Sequence, residues 1–346
     1  MMKTTFPAYR PLALAVLAAA ALALVPLIGP RAVVQDLFGI LCLLVLALNW
    51  NMLAGFAGLV SVGQQAFVGI GAYTMFAAVI LFGLDPLAGV LLGGLVAMAL
   101  AVPVACFVFR LNGAYFAIGT WVAAEIARLG LSQWKALGGG TGTPLPKGTT
   151  RDMLGVGPVK EWLGVSSAAA SDIVLYWLAL GLVLVTLGMS WAFLRSRMGL
   201  GLQAIRDNAM AARSVGVDPV RLKALVFLLT AFGTGLCGGL LFIQITRITP
   251  DAAFSLVDWT AFVLFVVVIG GIGTLPGPIV GVVVFYALER LLSDYGSAYL
   301  IVLGLFGIAV MLFARRGIWG SLSGRTGLEL LPLGHRAPDP APALRS

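Results

Sequence analysis

The chain has 346 residues, with 22 Lys+Arg against 14 Asp+Glu and a formal net charge of +8. Charged residues make up only 10% of it, where soluble domains have about 25%, while hydrophobic residues reach 60% and the mean hydropathy is +1.03. These values exclude a soluble single-core enzyme, a disordered chain and a fibrous protein, and leave an all-α, polytopic membrane bundle.

A transmembrane barrel is excluded by continuity. Barrel strands alternate apolar and polar residues over about ten positions, whereas runs such as LALAVLAAAALALVPLIG are unbroken. The cysteines, Cys42, Cys106 and Cys237, lie inside apolar runs, and the single histidine is His335. Neither a disulfide framework nor a zinc or haem site is expected from them.

A spanning helix needs about 20 mostly apolar residues. In chain order the sequence predicts about ten of them: 11–29, 34–54, 58–82, 87–109, 112–133, 173–194, 224–245, 258–275, 277–292 and 297–314. The first follows Lys3 and Arg10, as a signal peptide would, but its apolar stretch exceeds the roughly 7–15 residues of a signal core; it reads as a retained anchor. Asn49 and Asn51 near the inner end of the second read as interfacial polar residues. The third is interrupted by Gly63, Gly69 and Gly71 and carries Ser61, Gln64 and Gln65. Those polar groups find no water in lipid, so they need partners inside the bundle, whether neighbouring helices or a substrate. Gly89 and Gly93 in the fourth, and Gly273, Gly277 and Gly281 later, have the four-residue spacing that lets helix backbones approach.

The fifth segment holds Glu125 and Arg128 at i, i+3, on one helix face. Each charge costs about 2.5–3.5 kcal/mol at a bilayer centre and each large apolar residue returns about 0.3–0.6. Phe116, Ile118, Trp121, Val122, Ile126, Leu129 and Leu131 therefore at best offset the pair. The charges are expected to face protein or water, as a local ion pair or as part of a substrate path.

Two connections are long. Residues 134–172, rich in Gly, Thr, Pro and Ser, are expected outside; residues 195–223 are expected inside. With both termini inside, the inner side holds 14 Lys and Arg and the outer side 7, as the positive-inside rule requires. Within the inner connection Leu202, Ile205, Ala209 and Ala212 recur as one helical stripe. Gly216 supplies a left-handed turn and Pro219 follows, which predicts a short amphipathic helix over 202–215. Such a helix docks into a cytoplasmic partner or lies on the membrane surface through Arg206 and Arg213. Asp258 opens the eighth segment, where an acid suits the helix dipole. The stretches 55–72 and 269–281 are Gly-interrupted apolar segments, one in each half, of the kind that lines a transporter's central path. Residues 1–316 are expected to form one transmembrane domain, and the Pro- and Gly-rich residues 317–346 a disordered inner tail. No G-x-x-x-x-G-K-[ST], G-x-S-x-G or H-E-x-x-H occurs, so catalysis is not expected, and any ATPase is another chain.

The inner connection resembles the coupling motif of ABC importer membrane subunits, E-A-A-x3-G-x9-I-x-L-P. Met210-Ala211-Ala212 is followed three residues later by Gly216, and nine residues after that come Val226, Phe227, Leu228 and Leu229. Met210 stands in place of the Glu and Leu229 in place of the Pro. LNWNMLAGFAGLVSVGQQAFVGIGAY, NGAYFAIGTWVAAEIARL, SRMGLGLQAIRDNAMAARSVGVDPVRLK, ITPDAAFSL and VVVIGGIGTLPGPIVG are similar to segments of branched-chain amino acid ABC importer permeases of the longer, M-type. The resemblance covers about 45–315. That family often carries His where this chain has Gln64.

The resemblance implies an inner-membrane permease that pairs with a second permease, two cytoplasmic ABC ATPases and an outer substrate-binding protein. No cofactor is implied on this chain, because the partner subunits use the ATP, and no nucleic acid is involved. It implies a substrate path at Ser61, Gln64, Gln65, Glu125 and Arg128, and ATPase coupling through Ile205, Ala209, Met210, Ala211, Ala212 and Gly216. Urea and short-amide importers share the architecture. The rival from another class is an ion-coupled secondary transporter, for which Glu125 is the obvious acid within a span.

Overall fold

The computed structural model describes residues 9–292, 299–314 and 316–326. Helices α1 (Tyr9–Ile28) and α2 (Arg31–Asn51) lead into a π turn at Met52–Phe56. Then come α3 (Gln64–Phe82), α4 (Pro86–Val108) and α5 (Ala114–Ser132). The following connection contains strand β1 (Thr143–Pro144) and helix α6 (Val156–Leu163). Helix α7 (Ser167–Arg195) is followed by the short α8 (Arg197–Asp207) and α9 (Ala209–Ser214), and then by α10 (Pro219–Ile245). Strand β2 (Arg247–Ile248) and α11 (Pro250–Ala253) precede a π turn at Val257–Ala261 and α12 (Phe262–Gly270). Helices α13 (Gly277–Leu292), α14 (Tyr299–Phe313) and α15 (Gly317–Thr326) complete the described chain.

Local chemistry sets the ends. Asp85 accepts a bond from the Leu87 N–H with Pro86 at the first position of α4. Asp218 does the same for Val220 and Arg221, ahead of Pro219, at the start of α10. An acceptor before the helix and a proline at its first position satisfy or remove donors that the helix leaves unpaired.

Each of the ten expected segments falls on a helix, but the count of ten crossings does not follow. Among the described residues seven helices are long and apolar enough to cross a membrane. Helix α13 has only 16 residues, α1 contributes a shorter apolar stretch at Leu17–Ile28, and Glu125 and Arg128 lower the hydropathy of α5. The third segment starts at Gln64 and not at 58, because Gly58 takes φ +68° and residues 57–63 leave the helical path. The connection expected over 134–172 ends at 166, since Ser166 caps α7. The disordered tail is also corrected at its start: residues 317–326 form α15, placed against Gly271 by the turn at Gly317 (φ +72°). The rest of that expectation, from 327 on, lies outside the described residues.

Helix α3 is the most enclosed of the long helices, and α10 follows it. They meet α4 at backbone contact. A methyl on Gly71 would lie 2.0 Å from the Gly235 carbonyl oxygen, one on Gly93 2.6 Å from that of Gly71, and one on Gly238 2.2 Å from that of Val68. Lipid tails are as apolar as leucine, so helices associate in a bilayer through such close packing. Of the later four-residue spacing, Gly273 falls in the loop before α13, while Gly281 serves the same purpose: a methyl on it would lie 1.9 Å from the Val266 carbonyl oxygen, joining α13 to α12. Across the bundle, β1 pairs antiparallel with β2 and ties the α5–α7 connection to the end of α10.

Gly71→Ala is expected to cost about 1–3 kcal/mol by overpacking, read as a lower unfolding temperature of the purified protein in detergent. Gly188→Ala, which meets nothing within 4 Å, is the control and should unfold like the parent chain. Equal unfolding temperatures for the two variants would refute the close contact.

Candidate functional site

The first helix break runs from the π turn after α2 to the start of α3. Its loop is held by the Trp50 indole N–H donating to the Ser61 carbonyl (2.8 Å), by the Val62 N–H donating to Thr120 Oγ1 (3.1 Å), and by the Gly63 N–H donating to Ser61 Oγ (3.3 Å). Ser61 is buried and lines a cavity of about 190 Å³ between α3, α4, α5 and α10. The other walls are mostly apolar, including Phe67, Ile70, Leu100, Ile126 and Phe227, with Thr120 as a second hydroxyl. Gln64 and Gln65 do not line it. Gln64 Nε2 donates to the Leu46 carbonyl (2.9 Å) while its Oε1 has no partner among the described residues, and Gln65 Oε1 accepts from Thr260 Oγ1. Both amides thus make interhelical bonds.

The second break, residues 271–276, meets the first. Asn51 Oδ1 accepts from the Gly273 N–H (2.8 Å), and Asn51 Nδ2 donates to the Thr274 carbonyl (2.9 Å). Asn51 is 1% exposed. It bridges two broken segments more than 200 positions apart and is not an ordinary interfacial residue.

Arg128 Nε donates to both Glu125 oxygens (3.0 Å each) and Nη2 to Oε1, as the i, i+3 spacing requires. Nη1 donates to Asp251 Oδ1 (2.7 Å), a third member on α11 that nothing local in the sequence signals. Arg128 lies one turn from the end of α5, and the side chains of Glu125, Arg128 and Asp251 are 43%, 26% and 84% exposed. The charges are therefore only partly covered by protein, near the end of α5. They are not brought together with Ser61, Gln64 and Gln65, although α5 contributes Thr120, Ile126 and Ala127 to the cavity.

The single helix expected over 202–215 is two helices. Asn208 leaves helical geometry (φ −156°, ψ 104°), and its Oδ1 accepts from the Met210 and Ala211 N–H groups, capping α9. The break turns the expected stripe. Leu202, Ile205 and Ala212 pack into the protein, whereas Ala209, Met210 and Ala211 face out. Met210 is 81% and Val215 75% exposed, so they form the projecting apolar knuckle. Gly216 takes φ +87°, a left-handed turn that a β-branched residue adopts only under strain. The Val217 N–H donates to the Ala212 carbonyl (3.1 Å) behind it.

Residues 34–314 match the family described as branched-chain amino acid transport system / permease component. The chain belongs to this permease family. It is 30% identical over 287 residues to the high-affinity branched-chain amino acid transport system permease protein LivM of Salmonella typhimurium, covering 80% of this chain and 67% of that one. LivM of Escherichia coli is 29% identical over 286 residues with the same coverage. BraD of Pseudomonas aeruginosa, a permease protein of the same description, is 30% identical over 142 residues, 40% of this chain and 44% of its own. No solved structure matches. The family is one of transporters, not enzymes, and the permease is a multi-pass membrane protein.

The three-membered charge cluster generates a prediction. Exposed ion pairs contribute about 0–1 kcal/mol, and Asp251 remains when Glu125 is lost. Glu125→Gln should therefore lower thermal stability only slightly. Glu125→Gln with Asp251→Asn leaves Arg128 without either carboxylate and should cost more than the two single changes added. A single Glu125→Gln variant as unstable as the double would show that Asp251 contributes nothing.

Proposed function

We propose that this chain is the membrane-spanning permease subunit of an ATP-driven importer for branched-chain amino acids in the bacterial inner membrane. It forms part of the substrate path and works with a second permease, two cytoplasmic ATPases and an outer substrate-binding protein. The observation that carries the reading is the family match over 34–314, with relatives whose names specify branched-chain amino acid transport. ATP is used by the partner subunits, and this chain supplies the contact through which their closure acts.

The exposed knuckle supports that contact. Met210 stands where the coupling motif has Glu, Ala211 lies beside it, and the left-handed turn at Gly216 fixes their projection. Ile205 and Ala212, being buried, hold α8 and α9 in place and do not face a partner. The cavity beside Ser61 and Thr120, at the first helix break, fits a path for small apolar side chains. Urea and short amides are less favoured, because the relatives are named for branched-chain amino acids. An ion-coupled transporter is disfavoured too, because both Glu125 oxygens are held by Arg128.

Ala211→Glu places a charge beside Met210 on an exposed position and leaves the fold alone. It should abolish co-purification of the ATPases and ATP-dependent leucine uptake together, and Gly216→Val should do the same through the turn. Undiminished ATPase binding by Ala211→Glu would misplace the contact. Uptake by the permease pair without ATPases, driven by a proton or sodium gradient, would end the ATP-driven reading.

Orientation is tested separately. The basic 195–223 connection is assigned to the cytoplasm on its six Lys and Arg. An impermeant thiol reagent on intact cells should label Ser166→Cys and spare Ser214→Cys. The reverse pattern would invert the topology.

A further inference from the structure

Helix α8 does more than carry the knuckle. Arg206 Nη1 donates to the Gly55 carbonyl (2.6 Å), at the end of the π turn that closes α2. Carbonyls at a helix C-terminus lack intrahelical donors, so a guanidinium there makes a charge-assisted bond to a group that needs one. Gly55 in turn lies against the second break: a methyl on it would sit 2.6 Å from Gly273 N. Gly273 takes φ +76°, and a methyl on that residue would lie 2.9 Å from Arg206 Nη1. Asn51, one turn earlier on α2, fixes the same break through Gly273 and Thr274. Three pieces of chain therefore meet at one point: α8, the end of α2 with the π turn that closes it, and the 271–276 loop.

We propose that Arg206 is the positioning residue that ties the ATPase-coupling element to both helix breaks, so that one movement of α8 displaces the ends of α2 and α12 together. The inference rests on the coupling role proposed above. Broken helices are where a chain changes φ and ψ at least cost, because fewer backbone bonds must be exchanged. A pull on the Gly55 carbonyl is passed to Gly273 by direct backbone contact and by the two Asn51 bonds. Residues 273 and 274 lie between α12 and α13, so the hairpin they form is moved by the same displacement.

The test uses the complete importer in proteoliposomes, with leucine uptake and ATP hydrolysis measured in the same vesicles. Arg206→Gln should keep the ATPases bound and ATP hydrolysis running, while leucine moved per ATP falls by roughly 2- to 30-fold, the span that single residues in coupling networks reach. Arg206→Lys, whose ammonium can donate to the same carbonyl, should recover part of the loss. Gly55→Ala pushes Gly273 away from the other side and should lower the same ratio; it carries the test alone if Arg206→Gln does not accumulate. The double variant should be no worse than the more severe single, because both open one junction. An unchanged ratio in Arg206→Gln overturns the inference. So does a proportional fall of uptake and hydrolysis, the mark of a structural cap, and so does loss of ATPase co-purification, which would make Arg206 part of the docking surface. A parent complex in which the ATPases do not bind at all would instead remove the coupling reading, and this inference with it.

Discussion

The structure depends on how closely three helix backbones approach. Water expels apolar side chains from solution, but a bilayer gives no such drive between two helices. What remains is contact, and contact is best where the side chain is a hydrogen. Gly71, Gly93 and Gly235 place α3, α4 and α10 so near that a single methyl would overlap a carbonyl. The same closeness lets short polar side chains span the gaps. Gln64 reaches a carbonyl of α2, and Gln65 meets Thr260 within the second π turn. A looser bundle would leave these amides stranded in hydrocarbon, at a cost of several kcal/mol each by the order of magnitude for unpaired polar groups.

The charged residues obey the complementary rule. None of the three in the Glu125, Arg128 and Asp251 cluster is fully enclosed, and the arginine, the least exposed, is also the one with two partners. A guanidinium flanked by two carboxylates near the end of a helix needs neither a deep pocket nor a dry one. That placement explains how a helix with two charges remains compatible with a membrane although its hydropathy falls short of its neighbours.

Much of this was legible in the sequence because hydropathy is a long, additive signal. All ten expected segments land on helices, and the glycine spacings mark the contacts that matter. What escaped is what depends on distant residues or on a single dihedral angle. Asp251 is 123 positions from Arg128, and Asn51 is more than 200 from Gly273. No local pattern announces either. Asn208 did carry a signal, since asparagine is a strong N-cap, but inside a run that otherwise keeps helical spacing it reads as one more helical residue. Missing it rotated the expected stripe: Ala212 packs inward, while Met210 and Ala211 face out. Residues 317–326 misled through composition: Gly317 and Gly320 look like linker, yet Trp319 is buried and the glycines let α15 lie against Gly271.

Helix α10 has 27 residues, a continuous hydrogen-bonded rod of about 40 Å. One end begins three residues after Gly216, and the other runs into β2, which is zipped to β1 in the opposite connection. A rod that is stiff along its axis has no means of shifting one tip alone. Any axial slip of the strand pair is therefore also a slip of the turn beneath the knuckle, and the two faces of the bundle share one mechanical coordinate. Because α3 and α4 grip the middle of that rod through bare backbone, enlarging one of the contact glycines would force the rod off its neighbours without touching either end.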